Sequence, residues 1–146
     1  MTMMTRTTII MTDVKDALPL IQTNIQSNRS RVAPDIGVVA KELRWGKLNV
    51  KKLNLQEPLD TVVASDVIYE PDHLKTLLET LVELCTPGRT QVFVGYKPRG
   101  LDPEIEDQFF RTLIGTKGGQ GQGKFMVTDQ FLLGYGVRVY CLRRQV

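Results

Sequence analysis

The sequence is poor in the residues from which catalytic and metal sites are most often built. Its 146 residues include one histidine and two cysteines. With a single histidine, His73, and with Cys85 and Cys141 far apart, no His/Cys metal cluster can be assembled, and a Ser-His-Asp triad has little basis. Because cysteine is sparse and follows no disulfide spacing, we expect a reducing compartment and a cytoplasmic protein.

Long apolar runs are also missing. The longest, TVVASDVIY, is interrupted by Asp66 and falls far short of the roughly 20 residues that cross a bilayer, so we expect no membrane span. The stretch TTIIM near the N-terminus is too short for a secretory signal. The net charge of +3 is divided among short basic segments rather than gathered in a stripe, so the sequence does not favour a nucleic-acid partner.

What the sequence does have is a regular alternation of strand-like and helix-like segments. β-branched or apolar runs alternate with segments whose apolar residues recur at helical spacing, which is typical of a parallel α/β sheet. The last two strand-like segments surround a GYG turn and predict an antiparallel hairpin at one side of the sheet. We therefore predict a single α/β domain over residues 1–146. The predicted strands are Thr7–Asp13, Ile36–Leu43, Leu59–Asp66 and Thr90–Tyr96, followed by the hairpin. The predicted helices start near Asp13, which is expected to cap the first of them, near Pro71 and near Asp102, and Arg44–Asn49 is predicted to be a loop.

The run TKGGQGQGK, residues 116–124, matches the spacing of two nucleotide-binding loops, G-x-x-x-x-G-K and G-x-G-x-G. A phosphate-binding loop requires a strand before it and a helix after it, so that backbone amides converge on the phosphates. Here a helical segment precedes the glycines and a strand-like one follows, and Phe125 stands where a magnesium-binding Ser or Thr belongs. We interpret the run as a connection between a helix and a strand, far from Asp66.

Polar residues stand where predicted strands end, which is where ligands bind in parallel α/β sheets. Asp13 ends the first predicted strand, and Asp66 ends the third, with Tyr69 three residues later. Alone, these patterns are weak. A strand-end acid can simply cap the next turn or helix, and Trp45, the single tryptophan, can be a core or hinge anchor. His73 stands on the first turn of the next helix and is interpreted as a surface residue rather than a base.

Taken together, the stretches MTDVKDALPLIQTNIQSN, KELRWG and SDVIYEPD form a more specific pattern. It resembles the family 16, methyltransferase-like group of seven-β-strand protein-lysine methyltransferases. In that family an acid ends the second strand, an N-x-x-x-N helix follows, a W-G pair follows the third strand, and D-[VI]-[IV]-Y follows the fourth. The matching positions are Asp13, Asn24 and Asn28, Trp45-Gly46, and Asp66-Val67-Ile68-Tyr69.

The resemblance implies a fold, a cofactor and a role for each of five residues. The fold is a Rossmann-like class I methyltransferase sheet, the cofactor S-adenosyl-L-methionine, and the partner a protein substrate with a lysine side chain. By the same resemblance Asp13 binds the ribose hydroxyls, Trp45 lies against the adenine, and Ser65 lies beneath the cofactor where the family usually has alanine. Asp66 and Tyr69 would orient the lysine amine.

One part of the family pattern has no counterpart here. The family begins with a first strand and a G-x-G-x-G loop that wraps the amino-acid end of the cofactor, whereas only MTMMTRTTIIMT precedes the acid at Asp13. We therefore expect a methyltransferase sheet that lacks its first strand and glycine loop, from a truncated chain that binds the cofactor weakly or not at all. The alternative is a non-catalytic remnant that acts as a protein-binding module.

Overall fold

The computed structural model describes residues 7–116 and 122–146. Contacts within the chain group it into two compact units, Met1–Arg44 and Trp45–Val146. The single domain predicted for the whole chain stays a prediction. The strands are β1 Thr8–Asp13, β2 Gly37–Glu42, β3 Thr61–Ser65, β4 Gln91–Tyr96, β5 Phe125–Leu132 and β6 Arg138–Arg144; the α-helices are α1 Leu18–Ser27, α2 Lys47–Lys51, α3 Leu74–Leu84 and α4 Pro103–Ile114.

The first unit is a β-α-β arrangement. β1 and β2 pair in parallel along their full lengths, from Thr8 opposite Gly37 to Asp13 opposite Glu42, and α1 connects them. The predicted strands are confirmed, but the prediction that Asp13 caps a helix is wrong. Pro19 occupies the first turn of α1, where its missing N–H and fixed φ are tolerated, so the α-helix starts at Leu18 after a short 3-10 turn.

The second unit contains a mixed sheet in the order β3-β4-β6-β5. β3 and β4 are parallel and are linked through α3, while β6 lies antiparallel to both β4 and β5. This arrangement confirms the predicted parallel strands and the antiparallel C-terminal hairpin. Within the described ranges, β3 pairs only with β4, and β1 pairs only with β2. The predicted absence of a first strand stays a prediction.

Helices cover the sheet of the second unit and form its core with it. The apolar face of α3 is buried through Leu74, Leu77 and Leu81, as its helical spacing predicts. α4 starts where predicted, because the Asp102 carboxylate accepts hydrogen bonds from the backbone N–H groups of Glu104 at 2.9 Å and Ile105 at 3.4 Å. The side chains that are almost fully buried are Thr90, Val92, Val94, Leu113, Phe125 and Leu142, together with Cys85.

The segment predicted to be a loop after Trp45 contains the short helix α2, so that prediction is wrong. Gly46 precedes the helix with φ +130°, a conformation that side chains disfavour. Val50 and Leu53 are then buried, at 6% and 5% exposure, which fixes the turn against the rest of the unit. Burial of these two apolar side chains outweighs the weak helical tendency of so short a segment.

The glycine-rich run lies between α4 and β5, so the helix before it and the strand after it are confirmed. Residues 117–121 lie outside the described residues, and the predicted distance between the run and Asp66 therefore stays a prediction. At the end of the run, a Cβ on Gly123 would lie 2.3 Å from the backbone nitrogen of Gly115. Glycine at this position allows two backbone segments to approach closely. This requirement explains the glycine without a bound nucleotide.

We predict that Gly123→Ala destabilises the protein by about 2–3 kcal/mol, because the new methyl group would displace the backbone at the end of α4. The measurement is the free energy of unfolding in urea. Gly134→Ala is the matched control, since no atom lies within 4 Å of the corresponding Cβ position there. Equal stability of the Gly123 variant and the control would contradict the close-approach explanation.

Candidate functional site

The carboxyl ends of β3 and β4 lie side by side in the second unit. Their parallel register places Ser65 opposite Gly95. The chain then leaves β3 through Asp66, whose backbone N–H donates to the Gly95 carbonyl at 3.1 Å. Asp66 has a φ of 60°, a left-handed conformation that residues other than glycine adopt infrequently. The carboxylate predicted from the sequence is therefore held at the strand end by an unusual backbone geometry.

The Asp66 carboxylate is paired with Arg99, whose Nη2 donates a short hydrogen bond to Oδ2. Both side chains are about half exposed, at 52% for Asp66 and 54% for Arg99. Arg99 lies after β4, so the pair joins the segments that follow the two parallel strands. Sequence analysis missed Arg99. One signal was available in the sequence. Arg99 is a basic residue shortly after β4, and β4 lies beside β3, the strand that leads into Asp66.

Tyr69 and Tyr96 differ sharply in accessibility. Ile68 is buried at 2% exposure and anchors the turn after Asp66, while Tyr69 beside it is 51% exposed. Tyr96, the last residue of β4, is only 3% exposed, and burial together with the nearby Glu106 carboxylate raises the pKa of its hydroxyl. Of the two tyrosines near the strand ends, Tyr69 is the one whose hydroxyl can meet a ligand from solvent.

Ser65 lies directly against the backbone of the neighbouring strand. Its Oγ is 3.2 Å from the position that a Cβ on Gly95 would take. Any side chain at Gly95 would therefore push the Ser65 hydroxyl out of place. Glycine at this point of β4 thus avoids a tight contact with the Ser65 side chain, a feature that the sequence analysis did not identify.

Trp45 and Gly46 form a corner that the helix α3 holds in place. The buried Thr80 hydroxyl accepts a hydrogen bond from the Gly46 backbone N–H at 2.7 Å and donates one to the Thr76 carbonyl at 2.7 Å. Trp45 is partly buried and packs against the core of the unit. Its ring meets that of His73 edge to face, with centroids 6.3 Å apart. Trp45 is thus an anchored residue in contact with the segment that follows Tyr69.

His73 is exposed and is the last residue of the 3-10 turn before α3, as predicted for a surface residue. Within the described residues, no group of His, Cys, Asp and Glu side chains could hold a metal ion. Both cysteines are free and buried, and burial raises the pKa of Cys85 to about 12, so that it remains a protonated, unreactive thiol at neutral pH. None of the helices described here is long and apolar enough to cross a membrane.

The remaining predicted residues lie in the first unit. Asp13 is the last residue of β1 and is exposed; its Oδ1 accepts a hydrogen bond from the Val14 N–H at 2.7 Å. The asparagines of the N-x-x-x-N motif close the end of α1, where Asn28 Nδ2 donates to the Asn24 carbonyl at 2.9 Å. Both also line a small, largely apolar groove of about 200 Å³ next to Ile25. The roles predicted for these residues stay predictions.

Two solved structures share the fold of this chain at low sequence identity. One, described as a candidate rRNA-methylase from Clostridium thermocellum, matches with a TM-score of 0.54 at 15% identity, covering 94% of this chain and 72% of that one. The other, LaPhzM, matches with a TM-score of 0.50 at 13% identity, covering 92% of this chain and 42% of that one. The chain therefore has a Rossmann-like methyltransferase fold, as predicted.

Two curated proteins are similar in sequence. Protein N-lysine methyltransferase METTL21A from Mus musculus is 36% identical over 80 residues, 53% of this chain and 34% of that protein. The UPF0665 family protein C23C4.06c from Schizosaccharomyces pombe is 28% identical over 110 residues, 75% of this chain and 31% of that protein. The chain thus spans about a third of the length of these curated relatives.

The match to a sequence family is broader than either of these alignments. Residues 1–116 match the family described as lysine methyltransferase, which is well over half of the chain and includes all the strand-end residues described above. The resemblance drawn from Asp13, Trp45-Gly46 and the Asp66–Tyr69 motif is confirmed: the chain belongs to the lysine methyltransferase family.

Proposed function

We propose that this chain functions as an S-adenosylmethionine-dependent methyltransferase, which transfers a methyl group to a lysine side chain of a protein. Family membership supports the reaction class. The observation that carries the proposal is the Asp66 carboxylate, held at the carboxyl end of β3 with the accessible Tyr69 three residues away. The free, buried thiols of Cys85 and Cys141 support the cytoplasmic location that we also propose.

The residues of the second unit suit the cofactor. Trp45 supplies an aromatic surface whose backbone is fixed through Gly46 and Thr80, which suits stacking against an adenine ring. Gly95 leaves the space beside Ser65 free of a side chain, so a ligand can approach the strand ends closely. In the first unit, Asp13 offers an exposed carboxylate at a strand end, the group that binds ribose hydroxyls in nucleotide folds.

The chemistry itself demands little from the protein beyond orientation. When bound, S-adenosylmethionine supplies a methyl group on a sulfonium, and transfer forms an N–C bond while the C–S bond breaks with its electron pair left on sulfur. The lysine amine must be neutral to act as the nucleophile, and its proton leaves to solvent. The Asp66 carboxylate and the Tyr69 hydroxyl then orient the amine by hydrogen bonds, and the carboxylate stabilises the cationic product.

The proposal is tested with the 146-residue protein in two assays. In a titration with S-adenosylmethionine, followed through the fluorescence of Trp45, saturable binding would support the proposal and would overturn the expectation, drawn from the sequence, that the chain binds the cofactor weakly or not at all. Incubation with radiolabelled cofactor and cell lysate should label protein, and acid hydrolysis should recover methyl-lysine. Binding of a lysate protein without cofactor binding or methylation would favour the alternative, a non-catalytic binding module. Label recovered only on nucleic acid would contradict a lysine substrate.

We predict that Asp66→Asn lowers turnover about 100-fold or more, because the neutral amide accepts a weaker hydrogen bond from the amine and cannot balance the positive charge of the product. Asparagine fits the shape and tolerates the left-handed backbone, so folding and cofactor affinity should be preserved. Turnover and cofactor affinity are measured separately. Asp60→Asn is the matched control, since Asp60 is also ion-paired but precedes β3. A parallel loss of cofactor affinity would reassign Asp66 to the cofactor.

We predict that Thr80→Val destabilises the protein by about 1–3 kcal/mol, because the Gly46 N–H loses its acceptor. The same change should shift the emission of Trp45 and weaken cofactor binding. Thr80→Ser keeps the hydroxyl and is expected to keep both properties. Unchanged fluorescence and cofactor affinity in a folded Thr80→Val protein would show that this hydrogen bond does not position Trp45.

A further inference from the structure

We propose that Arg99 is a positioning residue for methyl transfer: it fixes the Asp66 carboxylate and places a positive charge beside the site of the substrate amine. The inference rests on the proposed function. It starts from the ion pair between Arg99 and Asp66, which no pattern in the sequence analysis anticipated.

The backbone on both sides of the pair is restrained. Arg99 lies in a short segment between Tyr96 and Leu101, which are buried at 3% and 8% exposure. Within that segment Pro98 fixes its own φ, and Gly100 has a φ of +80°. The buried side chains at both ends of the segment and the restricted backbone of Pro98 and Gly100 thus hold Arg99 beside Asp66. On the other side, the hydrogen bond from the Asp66 N–H to the Gly95 carbonyl fixes the acid.

The pair has an electrostatic consequence for an incoming lysine. A carboxylate alone favours the ammonium form of a neighbouring amine, whereas the guanidinium of Arg99 favours the neutral form, which is the nucleophile. Arg99 engages Oδ2 of Asp66, which leaves Oδ1 as the acceptor for the amine. The other titratable side chains on the flanking segments are Tyr69, Glu70, Asp72 and His73 after β3, and Lys97 and Asp102 after β4.

Stability does not explain why the pair is present. Both partners are about half exposed, and exposed ion pairs contribute little to the free energy of unfolding. The protein also contains a built-in comparison: Arg89 pairs with Asp60 at 3.1 Å, joining the segments that precede β3 and β4. The same two strands thus carry an arginine–aspartate pair at each end, and only one pair lies at the candidate site.

The experiment compares Arg99→Gln, Arg99→Lys and the control Arg89→Gln in the methylation assay, with turnover measured against pH. Arg99→Gln should lower kcat about tenfold while leaving the melting temperature and cofactor affinity close to those of the wild type. The pH at which kcat is half-maximal should rise by about one unit, because loss of the cation favours the ammonium form of the substrate. Arg89→Gln should change none of these.

Arg99→Lys separates charge from geometry. Lysine keeps the positive charge but loses the planar fork of donors, so the pH profile should return to that of the wild type while kcat is only partly restored. An Arg99→Gln protein with wild-type kcat and pH profile would overturn the proposal. Higher kcat in that variant would overturn it too, since it would show that Arg99 competes with the substrate for Asp66.

A second readout does not depend on turnover. In NMR spectra of ¹⁵N-labelled protein, hindered rotation of the Arg99 guanidinium should be visible in the wild type and lost in Asp66→Asn. A freely rotating guanidinium in both proteins overturns the pairing. Absence of turnover in the wild type overturns the proposed function and the role of Arg99 in it, and the NMR result then shows separately whether the pair itself exists.

Discussion

Parallel pairing of β3 with β4 continues to the last residue of β3 and to the residue before the end of β4, and the candidate site of the second unit depends on it. Ser65 lies opposite Gly95, and the next amide, that of Asp66, donates to the Gly95 carbonyl. Because parallel strands end at the same edge of a sheet, the segments that follow them leave side by side. Arg99, which is far from Asp66 in sequence, therefore reaches its carboxylate.

The backbone at Asp66 supports a functional interpretation of this edge. A left-handed conformation at a residue other than glycine costs about 1–3 kcal/mol and persists only where the surroundings determine it. Here the hydrogen bond to Gly95 on one side and the burial of Ile68 on the other provide that support. An acid is held in an unfavourable backbone geometry although its side chain is half exposed and adds little to packing. The motif on which the family resemblance rests begins at the same residue, and the role proposed for Asp66 offers a reason for this geometry.

The strands, the two long helices of the second unit and the C-terminal hairpin could be predicted because their apolar patterns reflect burial directly. The short helix α2 could not, since it depends on the burial of Val50 and Leu53 by residues remote in sequence. Thr80 was overlooked for the same reason. Within α3 it is one polar residue of an apolar face, and its hydrogen bond to Gly46 exists only once the helix has packed.

Arg99 shows a different limit of sequence reasoning. Its segment, YKPR, is one of the short basic segments among which the sequence divides its positive charge, and the exposure of Arg99 does not distinguish it from the others. What the sequence does not state is the register of β3 against β4, and this register decides which charged residues share an edge. The strand-end acid could be identified from its position after an apolar run, but its partner required the sheet.

The ion pair between Asp66 and Arg99 also resolves two opposing electrostatic requirements of the proposed reaction. Capture of a lysine from solvent favours a negative site, because lysine arrives as an ammonium ion. Transfer requires the neutral amine, which a lone carboxylate disfavours. A carboxylate compensated by a neighbouring guanidinium keeps its hydrogen-bonding oxygens while losing most of its net charge. It can orient the amine without stabilising the protonated form that cannot react, and this combination of geometry and charge requires both Asp66 and Arg99.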